Sequence, residues 1–142
     1  MTARDPQPAA APLSDWEGCG FDTRQVHAGE RPDLNAGLRV PPIAMSAGYV
    51  FADFEDGVDR FTGRSTDPIY SRQGNPTNWV AEERLASLEG GTAAVAVASG
   101  QAAISAALFA LAGSGDQIVS TASIYGGTRI LFGRSFKRFG ID

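Results

Sequence analysis

Ala93-Ala-Val-Ala-Val-Ala-Ser-Gly-Gln-Ala-Ala103 decides the fold. Ala93 to Ala98 is a short continuous apolar run holding Val95 and Val97, the pattern of a strand buried on both faces. Ser99-Gly100 makes a turn, and Gln101 to Ala112 reads as a helix of small residues that packs closely on a sheet. Gly113-Ser114-Gly115 stops it. Asp116 to Thr121 reads as a second strand and Thr128 to Phe139 as another helix. A helical crossover of about a dozen residues between two strands implies parallel pairing in a right-handed unit. Gly140-Ile141 reads as the approach to a third strand, so the sheet is expected to be incomplete at Asp142.

Upstream of this unit the character changes at Asn75-Pro76-Thr77. Asn75 or Thr77 can cap a helix, and proline is tolerated in a first turn. Glu82 and Glu83 are expected early in that helix, where its dipole favours them. Ala81, Leu85 and Leu88 form one apolar stripe, and Gly90-Gly91 ends the helix. The order helix, strand, helix, strand, helix predicts an α/β fold with a mainly parallel sheet. Residues 77–142 are its start. Residues 21–76 hold many Gly, Pro, Asp and Asn and read as an N-terminal arm, with one short helix near Asp56 to Phe61. Residues 1–20 read as a flexible tail.

Composition narrows the function. The 142 residues suffice for one domain with a core, and 43% hydrophobic with 20% charged residues is ordinary for a globular protein. The net charge of -4 gives no general attraction to nucleic acid or an anionic membrane. One cysteine, Cys19, allows no intramolecular disulfide, and with the single His27 it makes no metal cluster, so no metal is expected. The sequence has no signal-peptide pattern and no apolar run near the roughly 18 residues of a membrane span. A cytoplasmic protein is the expectation.

Three motifs carry chemistry. Tyr70 and Arg72 lie two apart in a segment without helical pattern, and in extended chain such residues point the same way. A phenol and a planar guanidinium could then reach one phosphate, Arg in bidentate contact. Taken as a bare pair, packing for Tyr and solvation for Arg is the better account. Ser99-Gly100-Gln101 follows a buried strand and opens a helix, where backbone N–H groups point outward at a positive dipole end. Glycine lets an anion approach, yet any tight turn between strand and helix uses glycine. Tyr125, after the second strand, should share the sheet edge with Gly100, as ligands sit at the carboxyl ends of such strands. Its ring can stack on a flat heterocycle and its hydroxyl can move a proton, or it is a plain surface tyrosine. Together the three make a cradle for a phosphorylated aromatic cofactor. A nucleotide-binding α/β domain fits worse, because both G-x-G-x-x-G and a Walker-type lysine are missing.

Order and spacing of these motifs match one family. From about Phe21 to Asp142 the chain resembles the N-terminal part of the Cys/Met-metabolism pyridoxal-phosphate enzymes, which have fold type I. The resemblance rests on Phe21-Asp-Thr-Arg-Gln-Val-His27-Ala-Gly29, Pro41-Pro-Ile43, Tyr70-Ser-Arg72-Gln-Gly-Asn-Pro-Thr77, Leu88-Glu-Gly-Gly91, Ala98-Ser-Gly-Gln-Ala-Ala103 and Tyr125-Gly-Gly-Thr128. It implies that Tyr70 and Arg72 reach the phosphate of a pyridoxal 5′-phosphate bound in the neighbouring subunit. It implies that Gly100 and Gln101 hold the phosphate of their own subunit, that Tyr125 stacks on the pyridine ring and takes a catalytic part, and that the arm wraps a partner subunit in a homodimer or homotetramer. Within the family, Ser99-Gly100-Gln101 and Val26-His-Ala-Gly29 look most like the O-acetylhomoserine sulfhydrylase branch, which implies O-acetyl-L-homoserine and sulfide as substrates. Gly127 stands where methionine γ-lyases typically carry cysteine. The cystathionine γ-synthase and γ-lyase branches stay open.

The resemblance also implies groups that these 142 residues do not hold: the lysine that carries the cofactor, the aspartate at its pyridinium nitrogen and the arginine for the substrate carboxylate. Lys137, beside Arg134 and Arg138 in an expected amphipathic helix, reads as a solvated residue. The chain is therefore expected to be an N-terminal fragment, inactive alone. The alternative is a truncated product that only binds phosphate compounds or partner subunits.

Overall fold

The computed structural model describes Trp16, residues 18–32 and residues 37–142. Most of the expected tail over 1–20 lies outside the described residues. The chain forms two compact units, one up to Val95 and one from Ala96 to Asp142.

In the first unit the helices are α1, Phe21–His27, α2, Phe54–Phe61, and α3, Pro76–Glu89. The seven-residue α1 has no apolar periodicity to announce it and goes unpredicted. Of the two caps the sequence offers for helix α3, Asn75 is the one used, its side chain accepting from the Thr77 N–H, and Pro76 occupies the first turn. Gly90, at φ 67°, closes the helix in the left-handed conformation that glycine adopts without steric cost.

Two expectations for α3 are corrected. Because the helix starts at Pro76, Glu82 and Glu83 lie beyond the first turn, away from its positive end. Glu83 instead meets Arg31, whose Nη2 lies 3.1 Å from both carboxylate oxygens. Nor is the Ala81–Leu85–Leu88 stripe the buried face: Leu85 is 54% exposed, while Ala86 and Ser87 are buried. The reason is what α1 brings to α3. Arg24 donates to the carbonyl of Ser87 and Arg84 Nε donates to that of Ala28 at 3.0 Å. These backbone contacts demand small neighbours, so Ala28 and Ala86 fill the contact.

Helix α2 is held by charge. Asp53 caps it, accepting from the Asp56 N–H at 2.8 Å. Arg60 then grips Asp56 through Nε at 2.8 Å and Nη2 at 2.7 Å, and its Nη1 donates to the Pro68 carbonyl at 2.9 Å. The Arg60 hydrogen bond, then that from the Ala52 N–H, holds the Asp56 carboxyl below the ordinary aspartate range. A lowered folded pKa gives stability that is complete above the unfolded value, about 3.9, and is lost as pH falls through the folded value. Thermal unfolding followed from pH 7 down to pH 2 should therefore show an acid-side loss that Asp56→Asn reduces. An unchanged acid limb in the variant would refute the pairing.

The second unit begins in the stretch read as a buried strand. The backbone from Ala93 to Ala98 forms no ladder among the described residues, and Val95 is 80% exposed. A parallel strand is completed by a ladder with its neighbours, and no ladder is assigned to this stretch among the described residues. Asp116 to Thr121 likewise forms no assigned strand, but its start is paired. Asp142 N–H donates to the Asp116 carbonyl at 3.0 Å, and the Ile118 N–H donates to the Asp142 carbonyl at 2.5 Å. One residue bonded to positions two apart on its neighbour is the parallel pattern. Asp142, next to the Gly140-Ile141 segment, makes these bonds without an assigned strand on either side.

Helix α4 runs Gly100–Leu111, capped by Ser99, whose hydroxyl accepts from the Ala102 N–H at 3.1 Å. The expected helix over 128–139 is present from Gly126, in three pieces: α5, Gly126–Ile130, a wider π turn Leu131–Ser135 and a tighter 3₁₀ turn Phe136–Phe139. Phe136 anchors it. Its ring lies 4.8 Å from that of Phe109 on α4 and 5.7 Å from that of Phe132, centroid to centroid.

Candidate functional site

Tyr70 enters its site through an isolated antiparallel bridge with Gly48. The Tyr49 N–H donates to the Ile69 carbonyl at 3.2 Å and the Ser71 N–H to the Ala47 carbonyl at 2.8 Å. The chain then turns. Gln73 and Gly74 both donate to the Tyr70 carbonyl, at 2.8 and 3.1 Å. Tyr70 and Arg72 are therefore not two residues of an extended segment, as the spacing suggested, because Asn75 must be reached within a few residues to start α3. The turn still brings them together: the Arg72 guanidinium carbon lies 6.0 Å from the Tyr70 ring centroid. Both side chains are solvent-accessible, and among the described residues no carboxylate neutralises Arg72. An exposed, unneutralised guanidinium beside a phenol suits an oxyanion.

Gly100 and Gln101 are the first two residues of α4, and their amide N–H groups find no acceptor among the described residues. A Cβ built on Gly100 would meet nothing within 4 Å, so the approach to those amides is open. The Gln101 side chain does something the sequence did not announce. Its Nε2 donates to the hydroxyl of buried Thr128 at 2.9 Å, tying the starts of α4 and α5 together.

Tyr125 stands just before α5 and is 75% exposed. Its ring passes over Gly127: a Cβ there would lie 2.7 Å from Tyr125 Cε1 and 3.5 Å from Gln101 Nε2. The absent side chain at Gly127 is thus what leaves room for the ring next to Gln101. The second unit alone presents open helix amides at the start of α4 and a free aromatic face at the start of α5. This fits a phosphate group carried on a flat ring. In the first unit the Tyr70–Arg72 pair suits the same charge.

The remaining singled-out residues play no visible part. His27 ends α1 with Nδ1 3.1 Å from Glu30 Oε2, and among the described residues no group of His, Cys, Asp or Glu is arranged for a metal. Lys137 is exposed, 3.7 Å from an Asp142 carboxylate oxygen. No helix of the described residues is long and apolar enough to cross a membrane. Asn75 had been seen only as a cap. Its donation to the Ala44 carbonyl crosses 31 residues of sequence and has no local signal.

Comparison with known proteins adds the following. The model of the Cys/Met metabolism PLP-dependent enzyme family matches residues 22–142. O-acetyl-L-homoserine sulfhydrylase of Corynebacterium glutamicum is 47% identical over 129 residues, which is 91% of this chain and 30% of that protein. Homocysteine/cysteine synthase of Saccharomyces cerevisiae is 52% identical over 124 residues, 86% of this chain and 28% of that one. The fold superposes with TM-score 0.81 and 38% identity on a solved Campylobacter jejuni protein assigned as an O-acetylhomoserine (thiol)-lyase, over 86% of this chain and 30% of that one. That structure contains N′-pyridoxyl-lysine-5′-monophosphate. The chain spans about 30% of the length of the relatives it matches.

Proposed function

The chain belongs to the Cys/Met metabolism PLP-dependent enzyme family, and we propose that it is the N-terminal part of an O-acetylhomoserine sulfhydrylase. The reaction exchanges acetate on Cγ of O-acetyl-L-homoserine for sulfide: the Cγ–O bond breaks, a Cγ–S bond forms, and homocysteine results. The observation that carries this reading is the open pair of amides at Gly100 and Gln101 beside the free ring of Tyr125. Pyridoxal 5′-phosphate, when bound, supplies an electron sink for the substrate carbon next to its amine.

The residues of this chain have the following parts in that reading. Gly100 and Gln101 donate backbone hydrogen bonds to the phosphate, and the α4 dipole favours its charge. Gln101 keeps its amide oriented by holding Thr128 through its side chain. Tyr125 lays its ring on the pyridine face and presents its hydroxyl for proton transfer at the substrate. Tyr70 and Arg72 add a phenol and a guanidinium to a phosphate bound by a neighbouring subunit, which makes the working unit a dimer or a dimer of dimers. Residues 21–76 are the arm of that assembly, and residues 77–142 the start of its mainly parallel α/β domain.

The test uses the complete polypeptide that carries this chain. Supplied with O-acetyl-L-homoserine and sulfide, it should release acetate and homocysteine in equal amounts. Cystathionine from cysteine with no homocysteine from sulfide would replace this reading with the γ-synthase one.

A further inference from the structure

Asn75 is buried, with 8% of its surface exposed, and its side-chain amide is fully used. Its Oδ1 accepts from the Thr77 N–H at 2.9 Å, which caps α3. Its Nδ2 donates in two further directions: to the Ala44 carbonyl at 2.9 Å and to the Ser71 hydroxyl at 2.9 Å. Ser71 stands between Tyr70 and Arg72. Its hydroxyl donates in turn to the Ser46 carbonyl and lies 3.2 Å from the Tyr49 hydroxyl. The 44–49 segment is fastened to the helix as well, for the Ala44 N–H donates to the Thr77 hydroxyl at 2.8 Å. One amide thus joins the start of α3, the 44–49 segment and the middle residue of the Tyr70–Arg72 turn.

We propose that Asn75 is a positioning residue: it fixes the Tyr70–Arg72 turn so that the phenol and the guanidinium face one phosphate. The inference rests on the reading of Tyr70 and Arg72 as phosphate contacts. Two long polar side chains on a solvent-exposed turn lose much of their rotamer and backbone freedom on gripping an anion. A turn already fixed by this chain of hydrogen bonds has met part of that cost before the ligand arrives. The cap alone would not require this residue, because aspartate and serine cap as well as asparagine does. What distinguishes asparagine here is a cap acceptor and two donors on one short side chain.

Asn75→Asp separates the two jobs: it keeps the cap acceptor and loses both donors. In the apo form of the complete polypeptide, binding of pyridoxal 5′-phosphate and of pyridoxal, which lacks the phosphate, is titrated by absorbance. Asn75→Asp should raise the Kd for pyridoxal 5′-phosphate by about ten- to a hundredfold, as loss of an outer orienting partner does elsewhere, and leave that for pyridoxal near its starting value. In an Arg72→Gln background the same change should add little, because the group it orients is gone. Equal weakening for both ligands, no weakening, or full additivity with Arg72→Gln would each overturn the proposal. If Arg72→Gln alone leaves pyridoxal 5′-phosphate binding untouched, the phosphate reading itself has failed, and the proposal falls with it. Should Asn75→Asp not fold, Ser71→Ala carries the test: it removes one link of the same chain and should weaken the phosphorylated ligand selectively by a few-fold, and its failure to do so overturns the proposal.

Discussion

Gly29→Ala should destabilise the chain by about 2–5 kcal/mol, because the left-handed backbone costs an alanine roughly 1–2 and the added methyl overpacks the contact by roughly 1–3. Gly29 sits at φ +83° immediately after α1, in the region L side chains avoid. A Cβ there would lie 2.6 Å from the Val80 carbonyl oxygen and 3.1 Å from the Val80 Cα. These are backbone atoms of α3, so no rotamer change relieves the clash. Relief requires α1 and α3 to separate, which pulls on the Arg84–Ala28 hydrogen bond and on the buried Ala28 and Ala86. Gly63→Ala is the control, since Gly63 has φ +74° with nothing within 4 Å of its built Cβ. It should show the backbone cost alone, about 1–2 kcal/mol. Urea unfolding of the three proteins measures the difference. Equal losses for the two variants would show that the close approach of Gly29 to Val80 does not exist in solution.

What the sequence made legible was local. Helix α3 was located to within a residue or two at its start and closed at Gly90, because its signals, Asn75-Pro76-Thr77 and Gly90-Gly91, act within a turn of the residues they govern. Helix α4 was legible because a run of small residues between the Ser99-Gly100 turn and Gly113 announces it, and the Ser99 cap is added by the structure. Position in the helix was less legible: with either Asn75 or Thr77 as the cap, Glu82 and Glu83 fall beyond the first turn, where the dipole no longer favours them. The buried face of α3 was misread for a different reason. Periodicity ranks apolar side chains, and the α1 contact is instead made by arginines bonded to carbonyls, which favours alanine and serine. The strands depend on partners, so an apolar run such as Ala93 to Ala98 specifies a tendency and not a ladder. At the candidate site, the residue types and their spacing were visible and their geometry was not. Tyr70 and Arg72 came together through a turn, and Gln101 acquired Thr128 as a partner across 27 positions.

Phe136→Ala should have the largest effect in the second unit, a loss of about 3–5 kcal/mol, the usual result of truncating a buried phenylalanine. Phe136 is 1% exposed, and its ring meets Phe109 at 4.8 Å and Phe132 at 5.7 Å between centroids. Its backbone carbonyl accepts from the Ile141 N–H at 3.1 Å, so the anchored residue also holds the segment leading to Asp142, which pairs with Asp116 and Ile118. Phe109 belongs to α4, whose first residues are Gly100 and Gln101. The phenyl cluster thus sets where those amides stand relative to α5 and Tyr125, and a cavity at Phe136 loosens the cradle as well as the core. Phe139 touches Phe109 at 5.2 Å but is 59% exposed, so Phe139→Ala should cost much less, about 1 kcal/mol or below. Phe136→Leu, which keeps most of the volume, should fall between the two. Urea unfolding gives the three losses, and pyridoxal 5′-phosphate titration of the complete polypeptide shows whether affinity follows the same order. Equal losses for the 136 and 139 alanine variants would mean that the ring of Phe136 is not the anchor of this unit. Affinity unaltered in Phe136→Ala despite the full stability loss would mean that α4 holds its first turn in place without help from the phenyl cluster.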